Sequence, residues 1–116
     1  MSYIDGFVAP VPKANQAAFV KHATNMASAF KAHGATGVFE CWGDDVPDGK
    51  LTSLPLAVQL KPDETVVFSW ITWPSRAVRD EAWKKIMEDP AMANGSAMPF
   101  DGKRAIFGGF QVLLQA

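Results

Sequence analysis

The sequence predicts a single α+β domain in the order strand, helix, strand, strand, helix, strand, and three features point to it. Apolar residues recur at three- and four-residue spacing between Asn15 and Gly34, and again between Ser75 and Pro90. That is the signature of helices with one apolar stripe. β-Branched and aromatic residues concentrate in runs at 2–9, 38–42, 66–73 and 104–114, which suits strands. Clusters of proline, glycine and aspartate separate these segments. A chain of 116 residues is the size of one domain, here 1–116, and can build a core without disulfides.

Residues 2–9 alternate loosely and meet Pro10 and Pro12, so the first strand is expected to stop there. Asn15 is placed to cap the next helix, whose stripe is Phe19, Ala23, Met26, Ala27 and Phe30. Lys31 and His33 fall in its last turn, where positive charge suits the helix dipole, and Gly34 is a natural stop. Val38 to Trp42 is a short strand ended by Gly43, and Asp44 to Gly49 reads as a turn. Residues 51–60 contain Pro55 and read as an edge strand or a short turn of helix. Val66 to Trp73 is the clearest strand. Ser75 caps the second helix, with Val78, Ala82 and Ile86 as its stripe and Pro90 as its end. Residues 90–103, with Met92 and Met98, form a long loop that could serve as a lid. Residues 104–114 are the last strand, interrupted by Gly108-Gly109. This is the ferredoxin-like βαββαβ order: a four-stranded antiparallel sheet with two helices on one face.

Composition excludes several function classes. The net charge is −1 and the pI about 6.0, so no long-range field attracts nucleic acid or an anionic membrane. No run approaches the ~20 apolar residues that cross a bilayer. Asp5, Pro10 and Pro12 stand where a signal peptide needs an apolar run. A soluble, cytoplasmic protein is expected. The single cysteine, Cys41, excludes an intrachain disulfide and is expected in the core. His22 and His33 are roughly 16 Å apart along one helix and cannot share a metal. The acidic turn at 44–49 lacks the spacing and terminal glutamate of a calcium loop. Phe107-Gly108-Gly109-Phe110 lacks a phosphate-binding spacing, and its likeness to RNA-binding motifs falls on the wrong strand. No metal, cofactor or nucleic acid is expected.

Strand alternation divides the sheet residues into two sets. Ile4, Gly6, Val8, Phe39, Cys41, Val66, Phe68 and Trp70 form the apolar set, which suits the helices. Tyr3, Asp5, Phe7, Glu40, Trp42, Ser69 and Trp73 form the mixed set, expected on the open face. Asp5, Glu40 and Ser69 are then the candidate catalytic residues. In a dry cleft a desolvated carboxyl group shifts towards a pKa useful for general acid or base work. Tyr3, Phe7, Trp42, Trp73 and Met98 would supply the apolar ligand-binding wall. A mixed aromatic patch of this kind marks an interface or a ligand site, so a homodimer packed sheet against sheet is expected.

Tyr3-Ile4-Asp5-Gly6-Phe7-Val8, the run from Trp42 to Lys50, Val67-Phe68-Ser69-Trp70, Trp73-Pro74-Ser75, Arg79-Asp80 and the run from Met98 to Arg104 resemble the YbaA-like family of uncharacterised bacterial proteins. The likeness covers nearly the whole chain. It implies the dimeric α/β-barrel form of the ferredoxin-like fold and no activity. Related families of that superfamily include cofactor-free monooxygenases and haem-degrading enzymes. The haem-degrading branch usually places a histidine on the second helix, where this sequence has none. The functional expectation is a small-molecule-binding homodimer whose open-face cleft could serve cofactor-independent, monooxygenase-like chemistry by fold analogy alone. The alternative is a structural or regulatory homodimer without a pocket.

Overall fold

A computed structural model describes residues 2–89 and 98–116. Strand β1 spans Tyr3–Pro12, and a 3-10 turn at Lys13–Asn15 leads into helix α1, Gln16–Ala32. Strand β2 is Gly37–Trp42, the short helix α2 is Leu54–Ala57, and β3 is Glu64–Trp73. Helix α3 is Arg76–Glu88 and β4 is Ile106–Gln111. The strands form one sheet in the order β2-β3-β1-β4, antiparallel at every pairing. This is the predicted ferredoxin-like arrangement.

Helices α1 and α3 cover one face. Phe30 of α1 and Ala82 and Ile86 of α3 pack against Tyr3, Ile71 and Trp73. Phe19 and Ala23 of α1 pack against Val11 and Val67, with Trp42 and Phe100 alongside. The Ser75 hydroxyl accepts from the Val78 amide at 3.2 Å and caps α3 as expected. Gly34 sits at φ +109° and ends α1 as expected.

Three local expectations change, and one open alternative is resolved. First, β1 runs through both prolines to Pro12. The Lys13 amide donates to Asp63 on the β3 side, whereas Ser2 accepts from Val112 on the β4 side. Even-numbered residues therefore turn their amides towards β4, and β4 pairing ends at Val8 with Ile106. Pro10 and Pro12 lack their N–H where no strand needs it. Second, Asn15 makes no capping bond; its side-chain amide donates to the Pro99 carbonyl at 3.0 Å. Third, residues 54–57 resolve the ambiguous stretch as a turn of helix, capped by Ser53. Val58 and Leu60 then fold over Val8 and Val66 and cover one end of the otherwise open sheet face. Fourth, β4 is shorter than the expected 104–114. The proposed lid lies outside the described residues for 90–97.

The largest correction concerns the sheet faces, which are exchanged. The mixed set of Tyr3, Asp5, Phe7, Glu40, Trp42, Ser69 and Trp73 lies on the helix side, where Tyr3, Asp5, Ser69 and Trp73 are buried. The apolar set is on the open face: Phe39, Phe68 and the neighbouring Phe110 are 48, 45 and 59% exposed. Cys41, expected in the core, is exposed with them. Alternation separates the sets without saying which faces the helices. Acids were expected to face water because a buried charge is costly when unpaired. For Asp5, Arg79 and Trp83 of α3 together with Trp73 supply the partners that remove that cost, whereas Glu40 has the Ser69 hydroxyl.

Candidate functional site

Asp5 sits in the middle of β1, between Ile71 of β3 and Gly109 of β4. Its carboxylate accepts from four nitrogens. The indole N–H groups of Trp73 and Trp83 donate at 2.9 Å each. The Arg79 guanidinium donates through Nη2 at 2.7 Å and through Nε at 3.1 Å. Arg79 also lies 5.3 Å from the centre of the Tyr3 ring and binds Asp80 at 2.9 Å. The adjacent Asp5 carboxylate raises the Arg79 pKa above its already high ordinary value. Every acceptor direction of Asp5 is thus engaged by a protein donor. The group is a structural anchor between sheet and α3, and a substrate would have to displace one of these donors to reach it.

The anchor also explains a glycine on β4. A Cβ at Gly109 would collide with the Tyr3 hydroxyl and lie 2.9 Å from Arg79 Nη2. Gly109→Ala is therefore expected to destabilise the fold by about 2 kcal/mol through forced overpacking. Urea unfolding checks this, and an unchanged midpoint would show that Tyr3 and Arg79 yield freely.

A second carboxylate clamp escaped sequence reasoning. Glu64 at the start of β3 is buried, and Arg104 binds both of its oxygens at 2.8 and 2.7 Å. Arg104 also donates to the Gln59 carbonyl at 2.9 Å and to Asp101 at 2.9 Å. The Arg104 hydrogen bonds hold the Glu64 carboxyl below its ordinary range. The clamp ties the chain after α2 to the segment before β4. No local spacing reveals it, because the pair is separated by 40 positions.

Glu40 differs from both. It lies on β2 directly opposite Ser69 of β3, and the buried Ser69 hydroxyl donates to it. Among the described residues no cation pairs with its carboxylate. Desolvation pushes the Glu40 carboxyl above its ordinary range, partly offset by the Ser69 bond. It lines a groove of about 290 Å³ between α1 and β2. Phe19, Ala23 and Ala27 form one wall, and Val38 and Trp42 the other. The structure therefore brings Glu40 and Ser69 together and assigns Asp5 to a separate cluster.

A raised carboxyl pKa means that ionised Glu40 is less favourable in the folded than in the unfolded chain. Its penalty is absent below the unfolded value and grows as pH rises through the folded one. Glu40→Gln is accordingly expected to be more stable than the wild type at neutral pH, with the difference vanishing in acid below the usual carboxylate range. Denaturant midpoints across pH test the sign. A variant less stable than wild type at neutral pH contradicts it.

The expected ligand-binding residues separate in the same way. Tyr3 and Trp73 are core residues, 8 and 1% exposed. Phe7 packs edge-on against Phe100, which also meets Phe19 and the His22 ring. Burial lowers the His22 pKa. Met98 is exposed, and only Trp42 of the predicted five lines the Glu40 groove. Among the described residues no three His, Cys, Asp or Glu side chains converge on a metal-sized site. Among them, too, no helix is long and apolar enough to cross a membrane.

A family model described as "Protein of unknown function (DUF1428)" matches residues 2–102. The chain is 50% identical over 115 residues to the "Uncharacterized protein YbaA" of Escherichia coli K12, covering 98% of each chain. Two solved structures share the fold. One is described as a dimeric ferredoxin-like protein from an uncultured marine organism, with TM-score 0.60, 10% identity and full coverage of both chains. The other is described as a putative antibiotic biosynthesis monooxygenase from Bacillus cereus, with TM-score 0.58 and 14% identity, covering 99% of this chain and 96% of that one.

Proposed function

The chain belongs to the family described as "Protein of unknown function (DUF1428)", and since that family lends no activity, we propose from the geometry that the protein is a small-molecule-binding homodimer assembled through its open sheet face. One observation carries the assembly: beyond the end covered by Val58 and Leu60, that face presents an exposed apolar and aromatic surface. Ile4, Phe39, Phe68, Trp70, Ile106 and Phe110 share it, and none is ionisable. Phe39 and Trp70 stack with ring centres 4.7 Å apart, and Phe68 meets Trp70 edge-on at 5.7 Å. An aromatic surface of this extent is a poor water-facing surface and a good protein interface. The marine neighbour described as dimeric supports the same reading.

The second half of the proposal concerns where a ligand sits. The open face offers a concavity of about 750 Å³ with no titratable group among its lining residues. Acid–base chemistry is therefore assigned to the other side of the sheet, at Glu40 and Ser69. The fold shared with a putative monooxygenase supports a cofactor-independent enzyme only by analogy.

Size-exclusion chromatography with light scattering at micromolar concentration tests the assembly. The expected mass is twice the 12.6 kDa of the chain, and a monomer mass overturns the dimer. A thermal-shift screen with aromatic and polyketide-like compounds tests the ligand. A dimer that no compound stabilises favours a purely structural homodimer, which the same aromatic face would equally support.

A further inference from the structure

Three carboxylates of the sheet meet two different fates. Asp5 and Glu64 are each held by an arginine at 2.7 Å. Glu40 has a hydroxyl donor and, among the described residues, no cation. Its carboxylate thus retains acceptor capacity that the fold does not use. The space beside it has the complementary chemistry. Ala23 and Ala27 keep α1 thin where it passes β2, and at one end Phe19 and Trp42 close the groove as a tilted aromatic pair with ring centres 6.4 Å apart. A flat ring finds apolar surface there, with Glu40 as the one carboxylate acceptor and Gln16 and Thr24 as the other polar lining residues.

We infer that this groove binds a small one- or two-ring aromatic molecule carrying one weakly acidic hydroxyl, of the phenol or enol class, which donates its hydrogen bond to Glu40. This names the ligand class for the small-molecule reading above, and it holds whether or not the chain dimerises. Ser69 positions the carboxylate from the opposite side, leaving the remaining oxygen lone pairs for the ligand. A ligand carboxylate or phosphate is disfavoured, because it would face Glu40 with like charge. If the ligand proton transfers, the O–H bond of the ligand breaks and a carboxyl O–H forms on Glu40. No further reactant is needed.

The test uses the full chain and 2-naphthol, with 2-methoxynaphthalene as a probe of similar shape that cannot donate. Amide chemical-shift mapping by NMR should show saturable changes confined to residues 16–27 and 38–42. The wild type should bind 2-naphthol at least tenfold more tightly than 2-methoxynaphthalene, and Glu40→Gln should reduce that preference to about twofold. The comparison of probes on the wild type stands even if the variant folds poorly. Equal affinity for the two probes overturns the inference. So do shifts confined to Ile4, Phe68, Trp70 and Phe110 on the open face, an outcome that leaves the broader small-molecule reading intact. The absence of any saturable shift with 2-naphthol overturns it as well.

Discussion

Asp5→Ala is expected to lower the unfolding free energy by about 4 kcal/mol, a large fraction of the stability of a domain this size. The carboxylate is 8% exposed and accepts from Arg79, Trp73 and Trp83 together. Alanine leaves a partly buried guanidinium with only the more exposed Asp80 as counter-ion, and two indole N–H groups without acceptors. The loss is then dominated by the orphaned partners rather than by the bond itself. Removing the cation as well should recover part of the stability. Asp5→Ala combined with Arg79→Met is thus expected to be more stable than Asp5→Ala alone, a non-additivity that a double-mutant cycle reads directly. Guanidinium unfolding of the three variants measures it. A single-variant loss under about 1 kcal/mol would show that solvent replaces Asp5, and the anchor reading would fall.

If the proposed homodimer forms through this face, Phe68→Glu is expected to leave a monomer, weakening self-association at least a hundredfold. Phe68 is 45% exposed on the open face, with Trp70 beside it. The substitution inserts a charge into an apolar interface, and two-fold pairing supplies a second copy of that charge from the partner. Because the side chain is half exposed in the single chain, the fold should tolerate the change, and circular dichroism should match the wild type. Light scattering over a concentration series reads the association. A variant that keeps the wild-type dimer mass would move the interface elsewhere on the molecule.

These two sites sit on opposite faces of one sheet, and the assignment of faces is where sequence and structure part. The strand and helix order was legible because its causes are local. The 3.6-residue stripe of Phe19, Ala23 and Phe30, the Ser75 cap and the Gly34 stop each act within a few positions. The division of strand residues into two sets was legible for the same reason, but the opposition of Glu40 and Ser69 was not, because it rests on the register of β2 against β3. The continuation of β1 through Pro10 and Pro12 was not, because it depends on where β4 stops. The Glu64–Arg104 clamp was invisible too, for its partners come from distant turns.

By itself, then, the sequence determined the ferredoxin-like order and the content of each sheet face, since periodicity is written in neighbouring residues. Only the tertiary structure decided which face the helices cover. That choice rests on Arg79 and Trp83 of α3 reaching Asp5 across 74 and 78 positions. Two indoles and a guanidinium remove the desolvation cost that would otherwise drive the acid outward, and the aromatic set is left facing water, or a second copy of the chain.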